Sequence, residues 1–248
     1  MNRGQYLVEM KNISKSFGKV VALNGVDFYV RENEVVGLVG DNGAGKSTLV
    51  NILAGLHAQD SGEIYVKGRL VTKHTVKKAR ELGIEAAYQT RSLVENQTLW
   101  RNVFIGREIT DRIGFLKIGT QKMLTDDVMR QMGFKGAGLS SDAIVGTMSG
   151  GEQQGAIIAR ALYFKSDLVI LDEPTRALSI TESDKVLDDI RGLKKKGRAC
   201  IFITHNIYHV YPVADRFVIL DRGEVKAEFE NRDVSLENVI DRLRAIAR

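Results

Sequence analysis

Gly40-Asp41-Asn42-Gly43-Ala44-Gly45-Lys46-Ser47 stands between the apolar run Val35-Val36-Gly37-Leu38-Val39 and a stretch of helical periodicity from Ser47 to Leu56. The order strand, glycine-rich loop, helix is half of a parallel α/β unit. The octapeptide fits the pattern G-x-x-x-x-G-K-[ST], and the strand-to-helix context is the one that pattern requires. Glycines let backbone N–H groups close around a β- and a γ-phosphate, Lys46 adds a positive charge, Ser47 offers a hydroxyl to Mg²⁺, and the helix N-terminus favours an anion. A nucleoside triphosphate is the expected ligand, held by Gly40, Asn42, Gly43, Ala44, Gly45, Lys46 and Ser47, with Thr48 beside them.

Working outward, Leu168-Val169-Ile170-Leu171 is a second buried strand, and it ends in two acids, Asp172 and Glu173. Ligands of open α/β sheets sit at the carboxyl ends of the strands, so these acids are in a productive place. Asp172 is expected to hold Mg²⁺ and Glu173 to polarise an attacking water as general base. Ile84 to Tyr88 and Ala199 to Thr204 are further strands, short and apolar enough to be buried on both faces of one parallel sheet.

Before the loop, Leu7 to Met10 and Val26 to Val30 alternate as half-buried strands of an antiparallel sheet, with turn residues at Asn24-Gly25. Between Thr98 and Leu162 the spacing becomes helical, which predicts a helical insertion. Phe217 to Leu220, Asp221-Arg222-Gly223 and Glu224 to Phe229 read as a hairpin, followed by an amphipathic helix from Leu236 to Ile246. Thr181-Glu182-Ser183-Asp184 reads as a capping box opening another helix.

Met148-Ser149-Gly150-Gly151-Glu152 precedes a helical apolar run from Ala156 to Leu162. Together with Gln153-Gln154 and the acid-ended strand shortly after it, this stretch resembles the signature motif of the ABC ATPases, and the likeness extends through almost the whole chain. It implies an α/β fold: a P-loop ABC ATPase with a mixed core sheet, an antiparallel β subdomain and a helical subdomain. Residues 1–90 and 164–248 would form the core with its β subdomain, and residues from about 91 to 163 the helical subdomain, all within one ATPase domain of 248 residues.

The same likeness implies ATP and Mg²⁺ as cofactors and a head-to-tail dimer. Ser149, Gly150 and Gly151 of one subunit would meet the γ-phosphate held by Lys46 of another. Phe17 matches the aromatic that stacks on adenine, Gln89 the glutamine that reaches Mg²⁺ and the attacking water, and His205 the histidine that contacts the γ-phosphate and positions Glu173. His57, His74 and His209 read as ordinary histidines. The family usually carries Asp where this chain has Ser179, a residue that bears on coupling between the two sites.

Within the family the motifs, Thr175 to Ser179, Asn96 to Arg107 and the short C-terminus look most like importers of simple sugars. That implies a second ATPase copy or a related subunit, permease subunits, indirectly a sugar-binding protein, and a peripheral place on the cytoplasmic side of the cell membrane. Leu93, Val94, Leu99 and Trp100 are candidate anchors for a permease near Gln89 to Arg101, with burial in the chain's own core as the alternative for Trp100. An ABC ATPase that serves another solute, or none, is the other reading. Chromosome-type members would need a long heptad insertion and translation factors two cassettes, and neither pattern is present.

Composition bounds these readings. Residues that are 44% hydrophobic and 27% charged describe a globular chain. The formal charge of +5 is spread among both signs, so no nucleic-acid partner is expected. Lys194-Lys195-Lys196 reads as a helix end, where cations suit the macrodipole. Cys200 is the single cysteine and reads as a buried, inert thiol of a reducing compartment. The first eleven residues lack the apolar stretch of a secretory leader, and no apolar run reaches the ~18 residues of a membrane span.

Overall fold

The computed structural model describes residues 6–87, 93–132, 140–176 and 178–246. Its centre is a six-stranded sheet built from β3 (Val35–Val39), β6 (Ile84–Ala87), β7 (Leu168–Asp172), β8 (Ala199–Thr204), β9 (Arg216–Asp221) and β10 (Glu224–Glu230). The spatial order is β10-β9-β3-β8-β7-β6. All neighbours are parallel except the β9–β10 hairpin, whose turn residues Arg222 and Gly223 both take positive φ. Every residue of β3 and β8 is buried, which is why these strands are unbroken apolar runs rather than alternating ones.

A second sheet is antiparallel. β1 (Val8–Phe17) pairs with β2 (Val20–Val30) on one side and β4 (Ser61–Val66) on the other, and β5 (Arg69–Leu70) closes the edge. The expected turn at Asn24-Gly25 is not the hairpin turn. β1 reverses at Gly18-Lys19, and Asn24-Gly25 lies inside β2 at an irregularity of the pairing, where Gly25 has φ +61°. There the Asn24 N–H donates to the Gly223 carbonyl at 2.8 Å, so the residues that look like a turn instead tie the two sheets together. β4, β5 and the short helix α2 (Val76–Glu81) were not anticipated: Gly62, Lys67 and Gly68 punctuate that stretch at positive φ and hide its alternation.

Three apolar cores result. One lies between the antiparallel sheet, α1 (Lys46–Leu53) and one face of the central sheet, with Ile13, Phe28, Leu49 and Ile201 among its members. The opposite face is covered by α5 (Gly150–Tyr163), α6 (Ile180–Lys195), α7 (Ile207–Val210) and α8 (Leu236–Ile246), around Phe202 and Phe217. The third joins α3 (Leu99–Phe104) and α4 (Ile118–Gln131) to α5 through Phe104, Met129 and Ala159. Helix α5 therefore serves two cores, with Ile157, Ile158 and Ala161 on the sheet and Ala156 and Ala159 on the helical insertion. Among the described residues no helix is long and apolar enough to cross a membrane.

Candidate active site and its relatives

Three adjacent strands, β3, β8 and β7, deliver the predicted groups to one end of the sheet. The glycine-rich loop leaves β3 and enters α1 through Gly45, which sits at φ 101° in the left-handed region. A Cβ there would lie 2.6 Å from the Ala22 carbonyl oxygen, and one on Gly40 2.1 Å from that of Leu220, so backbone from two other segments closes around the loop. Lys46 is buried, and its Nζ donates to the carbonyls of Gly40 at 2.6 Å and Asp41 at 2.8 Å, folded back across the loop that would cradle phosphate. Burial lowers its affinity for a proton, against the pull of Glu173 and Asp172.

Asp172 closes β7 beside that ammonium. Burial, and after it the neighbouring Glu173, raise its pKa, while Lys46 and a hydrogen bond from Ser47 act in the opposite sense. Ser47 and Asp172 thus meet as a hydroxyl and a carboxylate. Such hard oxygen donors fit Mg²⁺, which takes one or two carboxylates together with substrate phosphates and waters.

Glu173 has φ +52°, an unusual conformation for a side-chain-bearing residue, fixed by its N–H on the Ile203 carbonyl at 2.9 Å. Its carboxylate accepts from the His205 N–H at 3.1 Å and from the Thr204 hydroxyl at 3.3 Å, and Oε1 lies 2.6 Å from His205 Nδ1. The acid at the end of β7 and the histidine at the end of β8 are in direct contact. Gln89 falls outside the described residues, as do Tyr88 and Ala177.

Phe17 ends β1 with 46% of its surface exposed, edge-on to His57 at 5.4 Å between centroids. The Lys15 ammonium lies 5.5 Å from the ring centroid, and the ring's exposure separates it from the packed aromatics of the cores.

The signature stretch lies at the start of α5. Ser149 is its N-cap: the Ser149 hydroxyl accepts from the Glu152 N–H at 3.2 Å and the Glu152 carboxylate accepts from the Ser149 N–H at 2.8 Å. Helix α6 opens with a second box, two residues earlier than expected. Ser179, not Thr181, is the N-cap, and its partner is Glu182. Thr181 lies within the first turn because Ser179 has the extended backbone a cap needs. Glu182 Oε2 takes the Ser179 N–H and hydroxyl, and its Oε1 accepts from the Gly151 N–H at 3.2 Å. These bonds hold the Glu182 carboxyl below its ordinary pKa, those to Ser179 foremost. A Cβ on Gly151 would meet Glu182 Cγ at 3.0 Å, and one on Gly150 would meet Leu178 Cδ2 at 2.6 Å. The two signature glycines admit the start of α6, a contact for which the sequence carries no marker beyond the Ser-x-x-Glu spacing from Ser179.

His209, expected to be an ordinary histidine, is held by two side-chain partners near the site. Its Nδ1 lies 2.7 Å from the Thr175 hydroxyl and its Nε2 3.3 Å from Asn206 Nδ2, so it joins the segments that follow Glu173 and His205. Cys200 is fully buried and burial pushes its thiol far up, as an inert cysteine should be.

Comparison with known proteins identifies the family. The profile described as ABC transporter matches residues 23–176. The chain belongs to the ABC transporter family. It is an ATPase subunit of that family, and its relatives are named as import ATP-binding proteins. It is 39% identical over 244 residues to the xylose/arabinose import ATP-binding protein XylG of Sulfolobus acidocaldarius, covering 97% of this chain and 95% of that one. It is 41% identical over 220 residues to the ribose import ATP-binding protein RbsA of Yersinia pestis, covering 88% of this chain but 42% of that one. The chain thus spans nearly all of the first relative and under half of the second. A nucleotide-free ATP-binding cassette from an ABC transporter superposes with a TM-score of 0.84 at 23% identity, over 98% of this chain and 99% of the other. A dimeric cassette solved in a post-hydrolysis state with ADP and Pi superposes at 0.76 with 25% identity, over 91% and 99%.

Beside the ATPase site this subunit has a groove between α2, β6 and the helical insertion, lined by Leu56, Val76, Arg80, Val94, Ile105 and Arg160. Leu56, Val94 and Ile105 are exposed apolar residues there. Under them, buried Glu85 pairs with Arg160 at 2.7 Å and with Arg107 at 2.7 Å. The anchors expected nearby are corrected in part: Leu99 is 1% exposed and belongs to the insertion's own core, Leu93 packs against two cores, and Trp100, 5% exposed, follows the alternative of burial. Their apolar side chains beside Gln89 suited a docking face equally well, because apolar character cannot tell a partner from the rest of the chain.

Proposed function

We propose that this chain binds ATP with Mg²⁺ and hydrolyses it as a dimer to drive uptake of a simple sugar, a pentose by the names of its relatives, through permease subunits at the cytoplasmic side of a membrane. The observation that carries the reading is the convergence of the Lys46 loop, Asp172, Glu173 and His205 on adjacent strand ends, while Ser149 to Gly151 open a separate helix. Lys46 would leave the Gly40 and Asp41 carbonyls for the β- and γ-phosphates. Ser47, Asp172 and Gln89 would hold Mg²⁺, which neutralises charge developing on the phosphates. Glu173, fixed by the Thr204 hydroxyl and by the N–H and Nδ1 of His205, would take the proton of the attacking water. Phe17 would stack on adenine. Ser149, Gly150 and Gly151 of a second copy, or of a related ATPase subunit, would complete the phosphate site.

The permease would seat on the groove at Leu56, Val94 and Ile105, next to β6, with a sugar-binding protein on the far side of the membrane. The test is ATP-driven uptake of labelled pentose into vesicles that contain the permease subunits, with Ile105→Asp and Val94→Asp chains beside the parent. Uptake should be lost while hydrolysis by the soluble chain survives. Uptake that persists in both variants contradicts the docking surface, and absence of any pentose uptake by the parent contradicts the substrate class.

A further inference from the structure

His209 sits in the short helix α7, four residues beyond His205, and its imidazole has a definite place in the hydrogen-bond pattern around Glu173. The pattern fixes which ring nitrogen carries the proton. Asn206 caps α7, and its Oδ1 accepts from the Tyr208 N–H at 3.0 Å. The other end of that amide, Nδ2, therefore faces His209 Nε2 as a donor at 3.3 Å. An imidazole nitrogen that accepts carries no proton, so the ring proton is on Nδ1 and is donated to the Thr175 hydroxyl at 2.7 Å. Thr175 is 2% exposed, and without this proton its oxygen would have to find another buried donor.

The chain of bonds then closes on itself. The Asn206 N–H donates to the Thr204 hydroxyl at 3.0 Å, and that hydroxyl donates to Glu173 Oε2 at 3.3 Å. Glu173 leads in two residues back to Thr175. Glu173, Thr204, Asn206, His209 and Thr175 form a ring that spans the ends of β7 and β8, the two strands that carry the acid and the histidine of the proposed reaction. The Glu173 backbone is held at φ +52°, so its carboxylate stays in place only while the surrounding loop is held too.

We infer that His209, as the Nδ1–H tautomer, is a positioning residue for hydrolysis: it holds the loop after Glu173 against the loop that carries His205. The inference rests on the roles proposed for Glu173 and His205. In this role His209 would act through Glu173 and not on the nucleotide itself. Its loss should act on turnover rather than on nucleotide binding, because the Lys46 loop lies on a different strand.

The test uses the full chain, with steady-state hydrolysis against ATP concentration, nucleotide affinity, thermal unfolding and the ¹⁵N spectrum of the imidazoles. His209→Leu should lower kcat roughly tenfold, the scale of displacing a reacting group by a fraction of an ångström, with KM for ATP unchanged. His209→Gln should restore most of the rate, since its amide can accept from Asn206 and donate to Thr175. Thr175→Val should lower kcat as His209→Leu does, and the double variant should be no slower than either, because both break one ring. The His209 resonances should report a protonated Nδ1 and a bare Nε2. Parent kcat in His209→Leu, or a proton on Nε2 in the parent spectrum, would overturn the inference, and the spectrum decides even if His209→Leu fails to fold. If Glu173→Gln hydrolyses ATP normally, the reading of the site fails; if that variant is inactive and His209→Leu is not slowed, the role of His209 alone fails.

Discussion

The end of the central sheet and the start of α5 are both built to face an anion, yet they differ in what fills them. At the sheet, Lys46, Asp172, Glu173 and His205 arrive from three adjacent strands of one chain, with Glu173 in contact with His205 and Lys46 in the field of both acids. At α5, the Ser149 and Glu152 side chains form the capping box and the Gly151 N–H is taken by Glu182 of the same chain. In the proposed reading one region holds the nucleotide within a single copy. The other has its N–H engaged within the chain, and a phosphate on a second copy would carry the charge to compete for it.

The largest effect should come from the first region. Glu173→Gln is expected to keep ATP affinity and to lower turnover by ~10² or more, the usual scale for loss of a general base. With hydrolysis stalled, ATP should hold two copies together, visible as an ATP-dependent dimer in size-exclusion chromatography. Near-parent turnover would remove Glu173 from the mechanism and with it the contrast between the regions.

A smaller change should sharpen the contrast from the other side. Glu182→Gln keeps an oxygen on the Gly151 N–H but removes the negative charge that competes with a partner's phosphate. In the Glu173→Gln background the ATP concentration for half-maximal dimerisation should fall by about threefold, as expected for one charge at a helix N-terminus. An unchanged or higher midpoint would mean that Glu182 only caps α6.

Asp189, farther along α6, supplies a control in which stability moves and hydrolysis does not. Burial pushes its carboxyl up to about 6 from 3.8. The folded state holds the proton more tightly than the unfolded one, so stability is highest below the unfolded pKa and falls as pH rises from about 4 through 6. Asp189→Asn should raise Tm by roughly 1–3 °C at pH 7.5, a figure discounted for solvent screening, and by less at pH 4.5, without altering the ATP midpoint of dimerisation. A gain that does not depend on pH would show that the carboxylate charge is not the cause.

Which of these features could be read from the sequence follows from how local their causes are. The β3 strand, its loop and α1 are specified within neighbouring residues: an apolar run, glycines at fixed offsets and a lysine. β7, β8, the β9–β10 hairpin and α8 are equally local, and their bounds were legible to within a residue or so. The β1–β2 turn was misread because Asn24-Gly25 has turn chemistry but lies at a bulge whose partner is Gly223, about 200 residues away. Ser179 was read for what it lacks, an aspartate, when its hydroxyl caps α6. His209 carried no signal at all, since its role depends on Thr175 and Asn206 converging from separate strands. The anchor Leu99 had the apolar character of a docking face, and only its packing against α4 and α5 shows that the chain itself covers it.

The measurement that tests the central contrast most directly is hydrolysis by mixed copies. Lys46→Ala chains lack the phosphate lysine, and Ser149→Arg chains carry a bulky cation at the start of α5, so each alone should be inactive. Mixed one to one, half of the dimers pair one of each and hold one intact site, and activity should return to at most about a quarter of the parent's. A mixture that stays at background while both chains bind ATP as expected, or a Ser149→Arg chain that hydrolyses ATP at the parent rate by itself, would contradict a site completed by the α5 start of a second copy.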